Sequence, residues 1–307
     1  MANRYRKITH YLPEWLLTVL AFCRSVFKPV FKKAELNSED QPINHSYLEN
    51  GQSAQPLGKE LNILSWNILR GYHLDKIKNS LEKLIEAYAI DIIFIQEAPV
   101  YELEKFSDHA LFKNFSKFYA PVHQVKAPHR KYNFKHSGNL ILSRYPFLKT
   151  GVYELPTTSD ACEIFFGGAQ VIKRLAVYSQ IKIAGKKIGL YNLHLENACL
   201  PTGRLGQAKA FLEVIDNDND ITIAGGDMNT FFPWRSESLF SYLINSGFSW
   251  PTRDVKSLRP RLSHFFVKGS AVAGKKVSGR GSDHRPIMIK MQFNQNIVLG
   301  THILHPF

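Results

Sequence analysis

Cysteine is scarce. Cys23, Cys162 and Cys199 are the three in 307 residues, an odd number at spacings that match no disulfide framework, zinc knuckle or redox Cys-x-x-Cys pair. A reducing, cytoplasmic setting is the default they imply. Acidic side chains are also in the minority: 26 Asp and Glu stand against 39 Lys and Arg, for a formal charge of +13. That balance favours anionic partners, whether nucleic acid, a phospholipid surface or phosphorylated small molecules. No Gly-x-Ser-x-Gly elbow occurs, which disfavours a nucleophilic serine of the α/β-hydrolase kind. No fixed-period repeat is present either, which disfavours solenoids and propellers.

What is present suits a chain that folds. Hydrophobic residues make up 44%, aromatic residues 12% and charged residues 21%, too apolar a mix for general disorder. Residues 1–33 differ from the rest. Arg4, Arg6 and Lys7 precede an apolar stretch from Leu12 to Cys23 that resembles a secretory or lipoprotein signal. Glu14 interrupts that stretch, Phe22 is bulky where cleavage needs a small residue, and the run is shorter than the ~20 apolar residues that span a bilayer. Ile8, Leu12, Trp15, Val19, Phe22, Val26 and Val30 instead recur every three or four positions, the spacing of an amphipathic helix. Such a helix can lie on an anionic membrane or dock on its own domain, so membrane association and secretion both stay open. Residues 34–60, rich in Asn, Gln, Ser, Glu and Pro, read as a linker, and the folded domain is expected over 61–307.

Strands are expected at Leu61 to Trp66, Ile90 to Ile95, Asn139 to Ser143, Ala169 to Ile183, Lys187 to Leu195, Asp220 to Ala224, His264 to Lys268 and Pro286 to Phe293. Leu74 to Tyr88 reads as a helix with Ile77, Leu81, Leu84 and Ile85 on one face; further helices are expected at Arg204 to Ile215 and Glu237 to Asn245. Strands outnumber helices, and Ala184-Gly185 marks a hairpin. Packed sheets with helices outside follow from that count.

Polar residues suited to metal and phosphate chemistry collect at the ends of these strands. Asn67 follows the first strand, Gln96-Glu97 the second, Asn192 and His194 close another, Asp227 and Asn229 follow a fourth, and Asp283-His284 precede the last. Oxygen donors from Glu, Asp and Asn suit a hard cation, Mg²⁺ or Mn²⁺, whereas zinc favours more His or Cys. Each residue alone has an ordinary reading: a Glu or Asn after a strand is a turn residue, Asp227 closes an Asx turn, and His194 between two leucines is a core histidine.

Their order is more specific. Trp66-Asn67, Gln96-Glu97, Asn192-Leu193-His194-Leu195, Gly226-Asp227-Met228-Asn229 and Ser282-Asp283-His284-Arg285-Pro286, with Ser143-Arg144-Tyr145-Pro146 as a sixth, together resemble the endonuclease/exonuclease/phosphatase superfamily over residues 61–293. The resemblance implies a four-layer αββα sandwich of two mostly antiparallel sheets. It implies a metal-dependent phosphoester hydrolase using water, with no covalent enzyme intermediate. By the same resemblance Glu97 is the central Mg²⁺ ligand, with Asn67 and Asp283 near the ion directly or through water. Asp227 orients or deprotonates the attacking water, Asn229 holds it or a phosphate oxygen, and His194 and His284 flank the scissile phosphate. Arg144 and Asn192 match substrate contacts.

One position departs from the pattern. Arg261-Leu262-Ser263-His264 places a serine where the family has an aspartate that accepts a hydrogen bond from the catalytic histidine. A neutral hydroxyl supports an imidazolium less than a carboxylate does, and Asp254 is a candidate substitute.

Charge in the loops bears on the substrate. Segments 105–149 and 253–290 each carry a net charge of +8, and both lead into motif strands, where Lys and Arg can meet a polyanion. Phe231, Phe232 and Trp234 follow Asn229 and fit either an aromatic wall for bases or packing on the next helix. Three readings follow: a Mg²⁺-dependent phosphodiesterase acting on nucleic acid, a lipid or inositol headgroup phosphohydrolase at a membrane, and a phosphate-binding interaction protein with weakened catalysis.

Overall fold

The computed structural model describes residues 46–47, 60–99, 112–122, 137–156, 174–196, 201–230, 237–255 and 262–293. The helix expected within 1–33 and Phe231, Phe232, Trp234 and Arg261 lie outside these. In chain order the elements are β1 (Ser46–Tyr47), β2 (Glu60–Asn67), α1 (Leu74–Tyr88), β3 (Ile92–Pro99), β4 (Ser116–Val122), β5 (Ser137–Ser143), β6 (Lys149–Leu155) and β7 (Arg174–Ile183). There follow β8 (Lys186–His194), α2 (Pro201–Glu213), β9 (Ile221–Asp227), α3 (Glu237–Asn245), β10 (Ser263–Lys268), β11 (Val272–Lys276) and β12 (Ile287–Gln292).

The strands form two sheets, one of seven in the order β1-β4-β5-β3-β2-β12-β11 and one of five in the order β10-β9-β8-β7-β6. Pairing is antiparallel except for β2 with β3 and β8 with β9. A period of two along each strand decides which side chains face the other sheet. Leu61 and Ile63 of β2, Ile92 and Phe94 of β3, Ile188 and Leu190 of β8, and Ile221 and Ile223 of β9 all belong to the apolar layer between the sheets. The alternate residues face outward: Leu64, Trp66, Ile93 and Ile95 pack with Ile77, Leu81, Leu84 and Ile85 of α1. Tyr191, Leu193 and Ala224 pack with Phe211 of α2 and Leu239 of α3. Three apolar layers separate four structural ones, which is the expected αββα sandwich. Burying each such large aliphatic side chain contributes about 1.5–3 kcal/mol.

The expected α1 and α3 coincide with the observed helices, and α2 begins three residues earlier than expected. β7 and β8 are joined by Ala184-Gly185, both with positive φ, 49° and 81°, the turn whose twist suits an antiparallel pair. Four strands were not legible in the sequence. β6 and β11 lie at sheet edges, β1 forms the other edge of the larger sheet inside the expected linker, and β4 pairs with it. Among the described residues no helix is long and apolar enough to cross a membrane.

Candidate active site

The same period of two continues past the apolar layer at one end of the sandwich. Asn67 follows Leu61, Ile63 and Ser65 on the inner face; Gln96 follows Ile92 and Phe94; Asn192 and His194 follow Ile188 and Leu190; and Asp227 follows Ile221 and Ile223. The two parallel pairs end together, with Asn67 beside Gln96 and His194 beside Asp227 in register. The inner layer therefore turns from apolar to polar at a single edge, and it brings together residues more than a hundred positions apart.

Glu97 breaks the alternation. Parity would turn it toward α1, but the pairing of β3 with β5 slips between Ile95 and Ala98 and Glu97 adopts a positive φ of 56°. A bulge of this kind re-aims one side chain. A non-glycine residue in the left-handed region costs of order 1 kcal/mol or more and is enriched at functional sites. The Glu97 carboxylate lies 3.3 Å from Asn67 Nδ2, 4.0 Å from His194 Nε2 and 3.7 Å from Arg70 Nε.

Asp227 occupies the centre. Its carboxylate accepts hydrogen bonds from Asn67 Nδ2 at 2.8 Å and from the Asn229 backbone N–H at 3.0 Å, while His284 Nδ1 stands 3.5 Å and His194 Nε2 3.8 Å away. The strand can bring it there because Gly226, at φ 140°, lies against the Leu193 carbonyl, where a Cβ would collide. Asn229, also at positive φ, donates through Nδ2 to the Leu195 carbonyl at 2.8 Å. Asp283 and His284 sit on the loop before β12, which is tied to β2. Trp66 Nε1 donates to the His284 carbonyl (3.0 Å), Ser282 Oγ to the Asn67 carbonyl (2.7 Å), and the His284 N–H to Ser282 Oγ (3.1 Å). Asp283 Oδ1 lies 3.8 Å from His284 Nε2.

Burial holds the His194 imidazole well below its ordinary pKa, and the charges of Arg174, His284 and Arg70 add to that effect. His194 is therefore a neutral ring near neutral pH, able to accept a proton or a hydrogen bond.

Two expected substrate contacts are placed elsewhere. Asn192 is fully buried beneath the site, where its Oδ1 accepts from Gln96 Nε2 at 2.7 Å and its Nδ2 reaches the Ile95 and Leu140 carbonyls at 2.9 and 3.0 Å. It clamps the two sheets together and presents no surface to a substrate. Arg144 follows the end of β5 that pairs with Ile92, the opposite end of β3 from Glu97. Its Nε donates to the Ile90 carbonyl at 2.9 Å and its guanidinium covers the Phe115 ring at 4.9 Å. Asp254 is exposed; the carboxylates beside His284 are those of Asp227 and Asp283. Ser263 pairs in register with Asp227 and is buried, and its Oγ has no hydrogen-bond partner among the described residues.

Three features had no signal in the sequence reading. Gln96, quoted in a motif without a role, is the donor that engages Asn192. Arg70 approaches Glu97 from a turn. Arg174 and Glu196 form a buried two-point ion pair, 2.8 and 3.2 Å, just beyond His194. Gln207 Oε1 of α2 accepts the Glu196 N–H at 2.9 Å.

Among the described residues no three His, Cys, Asp or Glu side chains gather closely enough to cage an ion by themselves. Asn67 Oδ1 is engaged by the Leu69 N–H at 3.0 Å. A partly exposed carboxylate with oxygen donors near it fits a hard cation that keeps most of its waters, as Mg²⁺ does, and does not fit tetrahedral zinc. Glu97 is the residue that would hold such an ion, with Asn67 3.3 Å from its carboxylate; Asp283 lies against His284.

Comparison with known proteins agrees with this architecture. The family described as Endonuclease/Exonuclease/phosphatase matches residues 64–284. No curated protein matches the sequence significantly. Among solved structures, an endonuclease/exonuclease/phosphatase from Beutenbergia cavernae DSM 12333 aligns at a TM-score of 0.57 and 17% identity, covering 76% of this chain and 71% of that one. The human Nocturnin catalytic domain with bound sulfate anion gives 0.57 and 16% over 76% and 94%. D. rerio TDP2 complexed with single strand DNA product gives 0.53 and 19% over 76% and 99%. At these identities the likeness shows the fold.

Proposed function

The chain belongs to the endonuclease/exonuclease/phosphatase family, and from that premise we propose that it is a Mg²⁺-dependent phosphodiesterase acting on nucleic acid, with water as the nucleophile. The observation that carries the reading is the gathering of Asn67, His194, Asn229 and His284 around the Asp227 carboxylate, with Glu97 and Asp283 beside them.

Asp227 orients and deprotonates a water, a role supported by its burial, its two donors and the imidazoles on either side. His194, neutral, donates its ring N–H to a phosphate oxygen. His284 lies between the carboxylates of Asp227 and Asp283 and donates to a phosphoryl or leaving oxygen. A divalent ion at Glu97 would neutralise phosphate charge that grows in the transition state. The reading as a protein with weakened catalysis rested on Ser263; Asp227 at 3.5 Å from His284 supplies a carboxylate that Ser263 does not.

A nucleic acid substrate is favoured by the charge of +13 and by the fold shared with TDP2, which was captured with single strand DNA product. The test is hydrolysis of single-stranded DNA, plasmid DNA, RNA, sphingomyelin and inositol phosphates with Mg²⁺, using Glu97→Gln as the blank. Cleavage of a nucleic acid, abolished in the variant, is the expected result. Turnover of sphingomyelin or inositol phosphates alone would replace nucleic acid with a headgroup, and no turnover of any phosphoester would end the enzyme reading.

A further inference from the structure

Arg70 reaches the site from an unusual turn. Leu69, Arg70 and Gly71 are three consecutive residues in the left-handed region, with φ of 49°, 54° and 70°, a conformation that L residues rarely adopt. The turn is well fastened: the Leu69 N–H donates to Asn67 Oδ1 at 3.0 Å, the Gly71 N–H to the Ile68 carbonyl at 3.0 Å and the Ile68 N–H to the Gln96 carbonyl at 3.1 Å. Its effect is to carry the Arg70 guanidinium back over the end of β3, 3.7 Å from Glu97 Oε2, with the two side chains 29% and 20% exposed. Two residues at positive φ, one in the turn after β2 and one in the adjacent parallel strand β3, thus aim opposite charges at each other. Asn67 belongs to both arrangements, since its Oδ1 fastens the turn while its Nδ2 touches Glu97 and Asp227.

The pairing conflicts with occupation of Glu97 by a divalent cation. One carboxylate cannot neutralise both, and a guanidinium beside a doubly charged ion is repelled. A phosphate group resolves the conflict, because it offers the guanidinium a planar two-point acceptor next to the carboxylate it leaves. We propose that Arg70 is the resident counter-ion of Glu97 and couples the metal position to the phosphate position. It competes with a divalent ion in the free protein and turns to a phosphate oxygen when both ligands arrive. The proposal rests on the hydrolase reading above and adds a thermodynamic consequence: each ligand tightens the binding of the other, by the same factor.

The experiment is a Mn²⁺ titration followed by electron paramagnetic resonance of the free ion, on the full chain, with and without inorganic phosphate. Wild type, Arg70→Gln and Arg70→Lys are compared, each checked for an unchanged thermal transition. Without phosphate, Arg70→Gln binds Mn²⁺ about fivefold more tightly than wild type at low ionic strength, as loss of a partly exposed competing charge implies, and Arg70→Lys stays near wild type. Phosphate tightens Mn²⁺ binding to wild type several-fold and to Arg70→Gln by less than about twofold. Equal or weaker Mn²⁺ binding by Arg70→Gln, or equal tightening by phosphate, overturns the proposal while leaving the hydrolase reading intact. Absence of Mn²⁺ binding in all three proteins overturns both.

Discussion

Asn67 Nδ2 lies 2.8 Å from Asp227 Oδ2, so a single amide at the end of β2 joins the larger sheet to the smaller one where the reacting groups collect. Replacing Asn67 by Ala leaves a carboxylate that is 1% exposed without one of its two donors. The expected cost is about 1–3 kcal/mol of stability. The orientation of Asp227 is lost as well, so kcat falls on the order of 10²-fold. Denaturant unfolding and steady-state hydrolysis measure the two effects; a stability change without a kcat change would make Asn67 purely architectural.

Asn192 and Arg144 separate from the catalytic set in the opposite sense. Asn192→Ala removes an acceptor for Gln96 and a donor to two buried carbonyls, at a cost of about 2 kcal/mol or more. Arg144→Ala loses a part-buried hydrogen bond and a ring contact, worth about 1–2 kcal/mol. In both variants the unfolding midpoint drops while KM for the phosphodiester stays near wild type. A large rise in KM without loss of stability would return either residue to the substrate.

Stability should depend on pH with two opposing contributions. His194 titrates far below 6.5 in the folded chain and near 6.5 in the unfolded one. The unfolded chain therefore binds more protons in that window; the contribution is complete above 6.5 and is lost on acidification. Asp91 acts the other way. Burial, only partly offset by the Asn62 N–H and the charge of Arg144, raises its pKa from 3.8 to about 6, so the folded chain keeps the proton longer and stability falls as pH rises through that range. Asp91→Asn keeps an acceptor for Asn62 and removes the second contribution. Its unfolding free energy should climb more steeply between pH 4 and 6 than that of the parent; an equal or shallower slope contradicts the assignment.

The central strands were legible from periodicity, whereas the four-layer arrangement and the roles of the site residues were implied by the resemblance. Alternating apolar residues in β2, β3, β8 and β9 give the buried layer, and polar residues an even number of places further on, such as Asn67 or His194, fall on the inner face by the same count. Two of the strands that were missed share a physical reason. β6 and β11 are edge strands with Gly and Lys in sequence, half covered and without the apolar alternation of central strands. Glu97 was found by its motif, yet only the bulge explains why it faces the site. Asn192 and Arg144 were assigned to substrate because a sequence carries the identity of a side chain and not its distance from the site edge. Arg70 and the Arg174–Glu196 pair depend on a backbone reversal and on a contact between strands and loop, which no local pattern encodes.

Ser263 tests the departure from the family pattern. Its buried Oγ makes no hydrogen bond among the described residues, so Ser263→Ala should leave stability within about 0.5 kcal/mol of wild type, or raise it slightly. kcat should also be unaffected, because His284 meets Asp227 and Asp283 instead. A substantial fall in kcat for Ser263→Ala would show that the hydroxyl supports the ring after all.

The most direct measurement of the central claim is kcat for one cleavable phosphodiester at saturating Mg²⁺ in wild type, Asp227→Asn and His284→Ala, with each protein shown to be folded. Loss of a positioned base or of a transition-state donor lowers the rate by about 10²–10⁴-fold, and that is the fall expected in each variant. Turnover within a few-fold of wild type in either variant would contradict the account.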